Sequence, residues 1–188
     1  MIDIKKTQNI SNENSKTKIG ITIGDINGIG PEIVLKALQD NRITEIITPV
    51  VYASSKVMSY HKKLLNLQEI NFNIIRSVEL HNLRNINLVN TSDKEIKIEL
   101  GKNSEIAGNF AQFLLDIAIR DQKKGFIDAL VTAPINKANM KSANFNFPGH
   151  TEFLANRYET KNYLMLMIFE DLRIALATTH TPITNIIN

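Results

Sequence analysis

The 188-residue sequence contains no cysteine. This excludes a disulfide framework and any thiolate-bound metal, and it fits a reducing compartment, so a cytoplasmic location is expected. Long apolar runs are also missing. The longest, residues 163–169, falls far short of the ~20 residues that a membrane-spanning helix needs, so no membrane role is expected. The amino terminus lacks the apolar segment of a secretory signal. Charge of one sign is scarce too, with 22 basic and 19 acidic residues and a formal net charge of +3. Lys5, Lys6, Lys16 and Lys18 outweigh Asp3 and Glu13 near the start. The body of the chain is therefore nearly neutral, and nucleic-acid binding is not expected.

Several catalytic signatures are absent as well. There is no GxGxxG, no GK[ST] after a glycine-rich loop, no HExxH and no Ser-His-Asp order. No catalytic acid, base or nucleophile is assigned on this ground.

What remains is ordinary globular material, 43% hydrophobic and 22% charged. Residues 1–17 are polar and are expected to form a disordered leader. Strands are expected at residues 18–23, 46–53, 72–76, 86–89, 96–98, 128–132, 163–169 and 173–178. The last two read as a hairpin without a strong turn residue. Pro31 suits the opening position of a helix that runs to about Leu38. Residues 55–65 have helical spacing. Ser104 is expected to cap a long helix with an apolar stripe of Ile106, Phe110, Phe113, Leu114, Ile117 and Ala118, ended by Gly125. Another helix is expected from Thr151 to about Tyr158. Strands alternating with helices imply an α/β layered fold with a mainly parallel sheet flanked by helices. The expected division is a leader 1–17, a first α/β domain 18–133 and the start of a second at 134–188.

Four polar segments carry candidate chemistry, each with a plainer reading beside it. GDINGIGPE (residues 24–32) is a glycine-rich strand-to-helix turn that could hold an anion on backbone N–H groups, or serve only as a tight turn. TAPINK (132–137) leaves a strand with Lys137 free to meet a phosphate, or to sit in solvent. In the triplet Gly149-His150-Thr151, Thr151 can cap the next helix and His150 stands at its positive end, which favours an anionic ligand. His180 follows a strand in a Thr-Thr-His-Thr-Pro context, where a neutral imidazole suits zinc or a similar ion. His61 and His81 read as surface residues.

Taken in order, GDINGIGPEI, DALVTAPINK, FPGHTEFLA and LRIALATTHTP resemble the 4-hydroxythreonine-4-phosphate dehydrogenase family of vitamin B6 biosynthesis. The likeness covers residues 18–182, and the first motif also resembles the turn of isocitrate and isopropylmalate dehydrogenases. The resemblance implies an isocitrate/isopropylmalate dehydrogenase-like fold. It implies NAD-dependent oxidation of 4-phosphohydroxy-L-threonine with loss of carbon dioxide, giving 3-amino-2-oxopropyl phosphate. It also implies a divalent metal (zinc, magnesium or cobalt), with His180 as one ligand. His150 and Thr151 are expected to bind the phosphorylated hydroxy amino acid, with Lys137 nearby. Full-length members are homodimers, and their remaining metal histidines lie in later motifs. The chain thus resembles an incomplete, amino-terminal part of such an enzyme, expected to be inactive alone. Two alternatives stay open: a paralogue acting on a threonate or erythronate phosphate, and a non-catalytic remnant of the fold.

Overall fold

A computed structural model describes residues 16–142, 147, 149–178 and 184. The chain divides into two units, Met1–Phe145 and Asn146–Asn188.

In the first unit, β1 (Thr17–Thr22), β2 (Ile47–Ala53), β3 (Phe72–Ile75), β4 (Ile86–Asn90) and β5 (Ala129–Thr132) form one sheet. Their order is β3-β4-β2-β1-β5, and every pairing is parallel. The expected α/β architecture is therefore present. Val50, Val51, Tyr52 and Ala53 of β2 are fully buried. That unbroken run is what a central parallel strand, covered on both faces, requires. The expectation of a buried β5 fails: Val131 is 52% exposed, because β5 is an edge of this sheet.

Helices α1 (Gly30–Leu38), α2 (Ile43–Ile46), α3 (Ser55–Leu64), α4 (Glu105–Lys123) and α5 (Lys137–Ser142) connect the strands. α1 begins one residue earlier than expected, with Ile29 as its cap and Pro31 in its first turn. Ser104 caps α4 by accepting from Ala107 N at 3.4 Å. Gly125, at φ 75, follows its carboxyl end, where only glycine takes the left-handed conformation without strain. The buried face of α4 is Ala107, Phe110, Ala111, Leu114, Leu115 and Ala118. Ile106 and Phe113 belong to the expected stripe but are 56% and 45% exposed. Helical spacing selects a face about 100° wide, and these two lie just outside it. Each buried leucine contributes roughly 1.5–3 kcal/mol.

Other differences are local. Residues 96–98 form no strand; Ile96 and Ile98 instead pack individually against the core from a loop. Thr17 belongs to β1 rather than to a leader, while residues 1–15 lie outside the described residues. His61 is buried at 2% exposure and not on the surface, for its ring nitrogen meets a main-chain carbonyl inside the unit. His81 is half-buried.

The second unit contains α6 (His150–Arg157), β6 (Met165–Phe169) and β7 (Leu172–Leu176). Phe153 is fully buried, with Phe147 edge-on at 5.5 Å and the Arg157 guanidinium 4.7 Å from its ring. The expected hairpin is present, antiparallel from Met165↔Leu176 to Phe169↔Leu172. Its strands are shorter than expected, and Tyr163, Leu164, Ala177 and Thr178 lie outside them. Its turn uses Glu170 at φ 49, which supplies the positive φ that a two-residue hairpin turn demands.

Candidate functional site

In open parallel sheets, ligands bind beyond the carboxyl ends of the strands, where chain order switches direction. Here β2 lies on one side of β1 and β5 on the other. The switch point is thus the carboxyl end of β1 and β5. Both GDINGIGPE and TAPINK start there, because each directly follows one of those strands.

The two segments are locked together by main chain. Asp25 N donates to Pro134 O at 3.0 Å, and Ala133 N to Thr22 O at 3.0 Å. Gly24 sits at φ 67, and a Cβ there would fall 2.2 Å from Pro134 O. Glycine at this position is set by that approach.

A buried polar network extends the lock. Asp25 Oδ1 accepts from Asn27 N at 2.9 Å. Asp25 Oδ2 accepts from Asn139 Nδ2 at 3.1 Å. Asn139 Oδ1 in turn accepts from Ser104 N at 2.8 Å, beside the start of α4. Asn27 Oδ1 accepts from Glu99 N at 2.8 Å, and its amide donates to Lys102 O at 3.2 Å. From the other side, His61 Nε2 lies 3.0 Å from Ile26 O. Burial lowers the His61 pKa from its ordinary value. The ring is therefore neutral near pH 7 and donates Nε2–H to that carbonyl.

TAPINK leaves β5 as a short loop, as its Pro134 suggests. Asn136 Oδ1 accepts from Ala138 N at 2.9 Å and Asn139 N at 3.1 Å, so it caps α5. Lys137 is the first residue of α5 and is exposed. Sequence reasoning passed over Asp25, Asn27, Asn136 and Asn139. Their only signal is polar residues embedded in otherwise apolar loops.

In the second unit, Gly149 caps α6, without a side-chain hydrogen bond. His150 and Thr151 share the first turn, with Glu152 following. The expectation that Thr151 is the cap is corrected: the extended residue ahead of the helix is Gly149 at φ −172. His150 is half-buried. Its Nε2 is buried and makes no hydrogen bond, and burial pushes its pKa down. A neutral imidazole with an unsatisfied nitrogen, beside the free N–H groups of a helix start, is poised to take one polar ligand. His180 lies outside the described residues. Among the described residues, no group of three or more His, Asp or Glu side chains could hold a metal. No helix among them is long and apolar enough to cross a membrane.

The family model described as pyridoxal phosphate biosynthetic protein PdxA matches residues 45–188. A 4-hydroxythreonine-4-phosphate dehydrogenase of Bacteroides thetaiotaomicron is 43% identical over 175 residues, covering 93% of this chain and 48% of the relative. A Clostridium botulinum protein provisionally named D-threonate 4-phosphate dehydrogenase is 32% identical, covering 90% and 52%. The crystal structure of a 4-hydroxythreonine-4-phosphate dehydrogenase from Burkholderia phymatum superposes with a TM-score of 0.82 at 28% identity, over 91% of this chain and 52% of that one. The chain spans about half the length of the relatives it matches.

Proposed function

Because the chain belongs to the PdxA family of pyridoxal phosphate biosynthetic proteins, we propose that it serves a dehydrogenase acting on a phosphorylated hydroxy amino acid, 4-phosphohydroxy-L-threonine. In this reading the hydroxyl carbon is oxidised with NAD as hydride acceptor, and carbon dioxide then leaves. The observation that carries it is His150 Nε2, buried and without a partner at the start of α6. The neutral ring offers that nitrogen to the substrate, while the first-turn N–H groups and the Thr151 hydroxyl receive anionic oxygen.

A divalent metal would polarise the substrate's hydroxyl oxygen when bound. His180 is proposed as one of its ligands. The described residues contain no group of three or more His, Asp or Glu side chains that could hold it. Lys137, exposed at the start of α5, is proposed as a long-range attraction for the phosphate. A cytoplasmic homodimer is proposed for the full-length assembly.

Titrating the chain with 4-phosphohydroxy-L-threonine, alongside an NADH-formation assay, tests the reading. Saturable binding that weakens at least ~10-fold in His150→Ala, about 1.4 kcal/mol, is expected. Unchanged binding in that variant would remove His150 from the site. The relative named for D-threonate 4-phosphate motivates a second substrate reading. A preference for D-threonate 4-phosphate in the same titration would establish it.

A further inference from the structure

The first unit holds a second concavity, apart from the turn at β1 and β5. It is a cleft of about 1030 Å³ between the start of α3, the exposed face of β3 and the loop after β4. β3 and β4 are the two strands farthest from β5 in the sheet. This cleft is therefore several strand spacings of ~4.8 Å away from the switch point.

Its floor is apolar. Ile96 and Ile98 are anchored against the core, and Val57 and Ile74 complete the surface. Ile74 is 59% exposed there. The Tyr60 ring stands at the rim, 42% exposed. Such a floor and ring accept a flat apolar body.

Its rim is cationic. Lys56, Lys63 and Lys97 line it against a single carboxylate, Glu95. Lys97 is 3.2 Å from Glu99. Lys56 and Lys63 pair with no carboxylate among the described residues. α3 also opens on the cleft without a side-chain cap. Its capping residue, Ser54, spends its hydroxyl on Ser92 O at 3.0 Å, and Asn90 Oδ1 satisfies only Ser55 N, at 2.9 Å. The next amides, of Lys56 and Val57, and the hydroxyls of Ser55 and Ser59 one turn apart are left for an anion.

We propose that this cleft is a binding site for an organic phosphate with a flat aromatic body, separate from the switch point at β1 and β5. The phosphate meets Lys56 and the start of α3, Lys63 in the last turn of that helix adds positive charge farther along the rim, and the ring lies on Ile74, Ile96 and Ile98. The site does not depend on the reaction proposed above. Two sources supply this chemistry: a nucleotide and a phosphorylated pyridine.

The test is calorimetric titration of the full chain with adenosine 5′-monophosphate, pyridoxine 5′-phosphate, unphosphorylated pyridoxine and inorganic phosphate. Backbone NMR shifts are followed at Ser55, Lys56 and Tyr60. At least one organic phosphate is expected to saturate and to move those amides, and the tighter of the two identifies the source. Inorganic phosphate and pyridoxine are each expected to bind at least ~10-fold more weakly, about 1.4 kcal/mol. The double variant Lys56→Gln/Lys63→Gln should lose at least ~10-fold in affinity while its Tm stays unchanged. Ile74→Glu, at an exposed position that folding does not need, should abolish binding. The proposal is overturned if neither organic phosphate saturates. It is also overturned if the double variant binds as tightly, or if inorganic phosphate matches the organic ligands, which would mean an adventitious ion only.

Discussion

The side-chain amide of Asn139 donates to the buried carboxylate of Asp25 at 3.1 Å, across 114 positions of sequence. Asp25 is 6% exposed and Asn139 1%. Through this contact, the turn after β1 and the helix after β5 become one rigid rim.

Removing Asn139 should be costly, since it leaves the buried Asp25 Oδ2 and the half-buried Ser104 N without their partner. Asn139→Ala is expected to destabilise the chain by about 2–6 kcal/mol, from two lost contacts at ~1–3 each. Asp25→Asn retains an acceptor and should cost less. Urea denaturation of the three proteins checks the order, and an Asn139→Ala midpoint equal to wild type would show that the contact is inert.

Gly108 provides a test with an inverted sign. In a helix interior, glycine to alanine ordinarily stabilises by about 0.5–1 kcal/mol. A Cβ on Gly108, however, would stand 2.1 Å from Asn139 O, a main-chain atom of α5. Gly108→Ala should therefore destabilise by about 1–3 kcal/mol. Gly28→Ala is the control, since its nearest neighbour would be at 3.5 Å. Equal thermal midpoints for the two variants would refute the close packing of α4 on α5.

Tyr52 is fully buried and donates its hydroxyl to Asp121 Oδ2 at 3.2 Å. Burial, and then the charge of Asp121, hold its pKa well above the ordinary value near 10. The folded state thus keeps the proton. The resulting stability is full below pH ~10 and is lost above it, as the unfolded chain ionises. Tyr52→Phe should cost about 1–2 kcal/mol at neutral pH and flatten part of the alkaline loss. Denaturation curves on both sides of pH ~10 read both effects.

His61 acts in the opposite direction. Its pKa is lowered by burial, with the Ile26 carbonyl and Glu32 opposing that shift. Below about pH 6.5 the unfolded chain takes up the proton more readily, so stability falls as the pH drops. His150 is shifted in the same direction, so the difference between wild type and His61→Gln isolates His61. Tm followed from pH ~7 to ~5 should fall less steeply in the variant, which keeps a donor for Ile26 O. Parallel slopes would mean that the buried ring does not titrate differently on folding.

The β-α alternation was readable because each strand and helix announces itself within a few residues. The run through residues 46–53, Pro31 after the glycine turn, Ser104 ahead of an apolar stripe and Gly125 behind it are all local signals. They correctly place one parallel sheet flanked by helices. Residues 96–98 misled because Ile96 and Ile98 alternate like a strand, yet no neighbour pairs with them; alternation reports burial, not hydrogen bonding. In TAPINK, Pro134 signals the loop that follows β5, but the capping role of Asn136 needs the helix beyond it.

Sequence by itself determined the strands of the sheet, the helices near Pro31, Ser54 and Ser104, and the four motifs in order and hence the family, since period, caps and motif spacing are properties of neighbouring residues. Tertiary structure alone decided that β5 is an edge, that His61 is buried beneath Ile26, that Asp25 meets Asn139, and that α3 and the loop after β4 enclose a cleft. Those facts depend on which distant segments meet when the sheet closes its core. Burial of a charge or a ring is set by the partner's backbone, which no local pattern specifies.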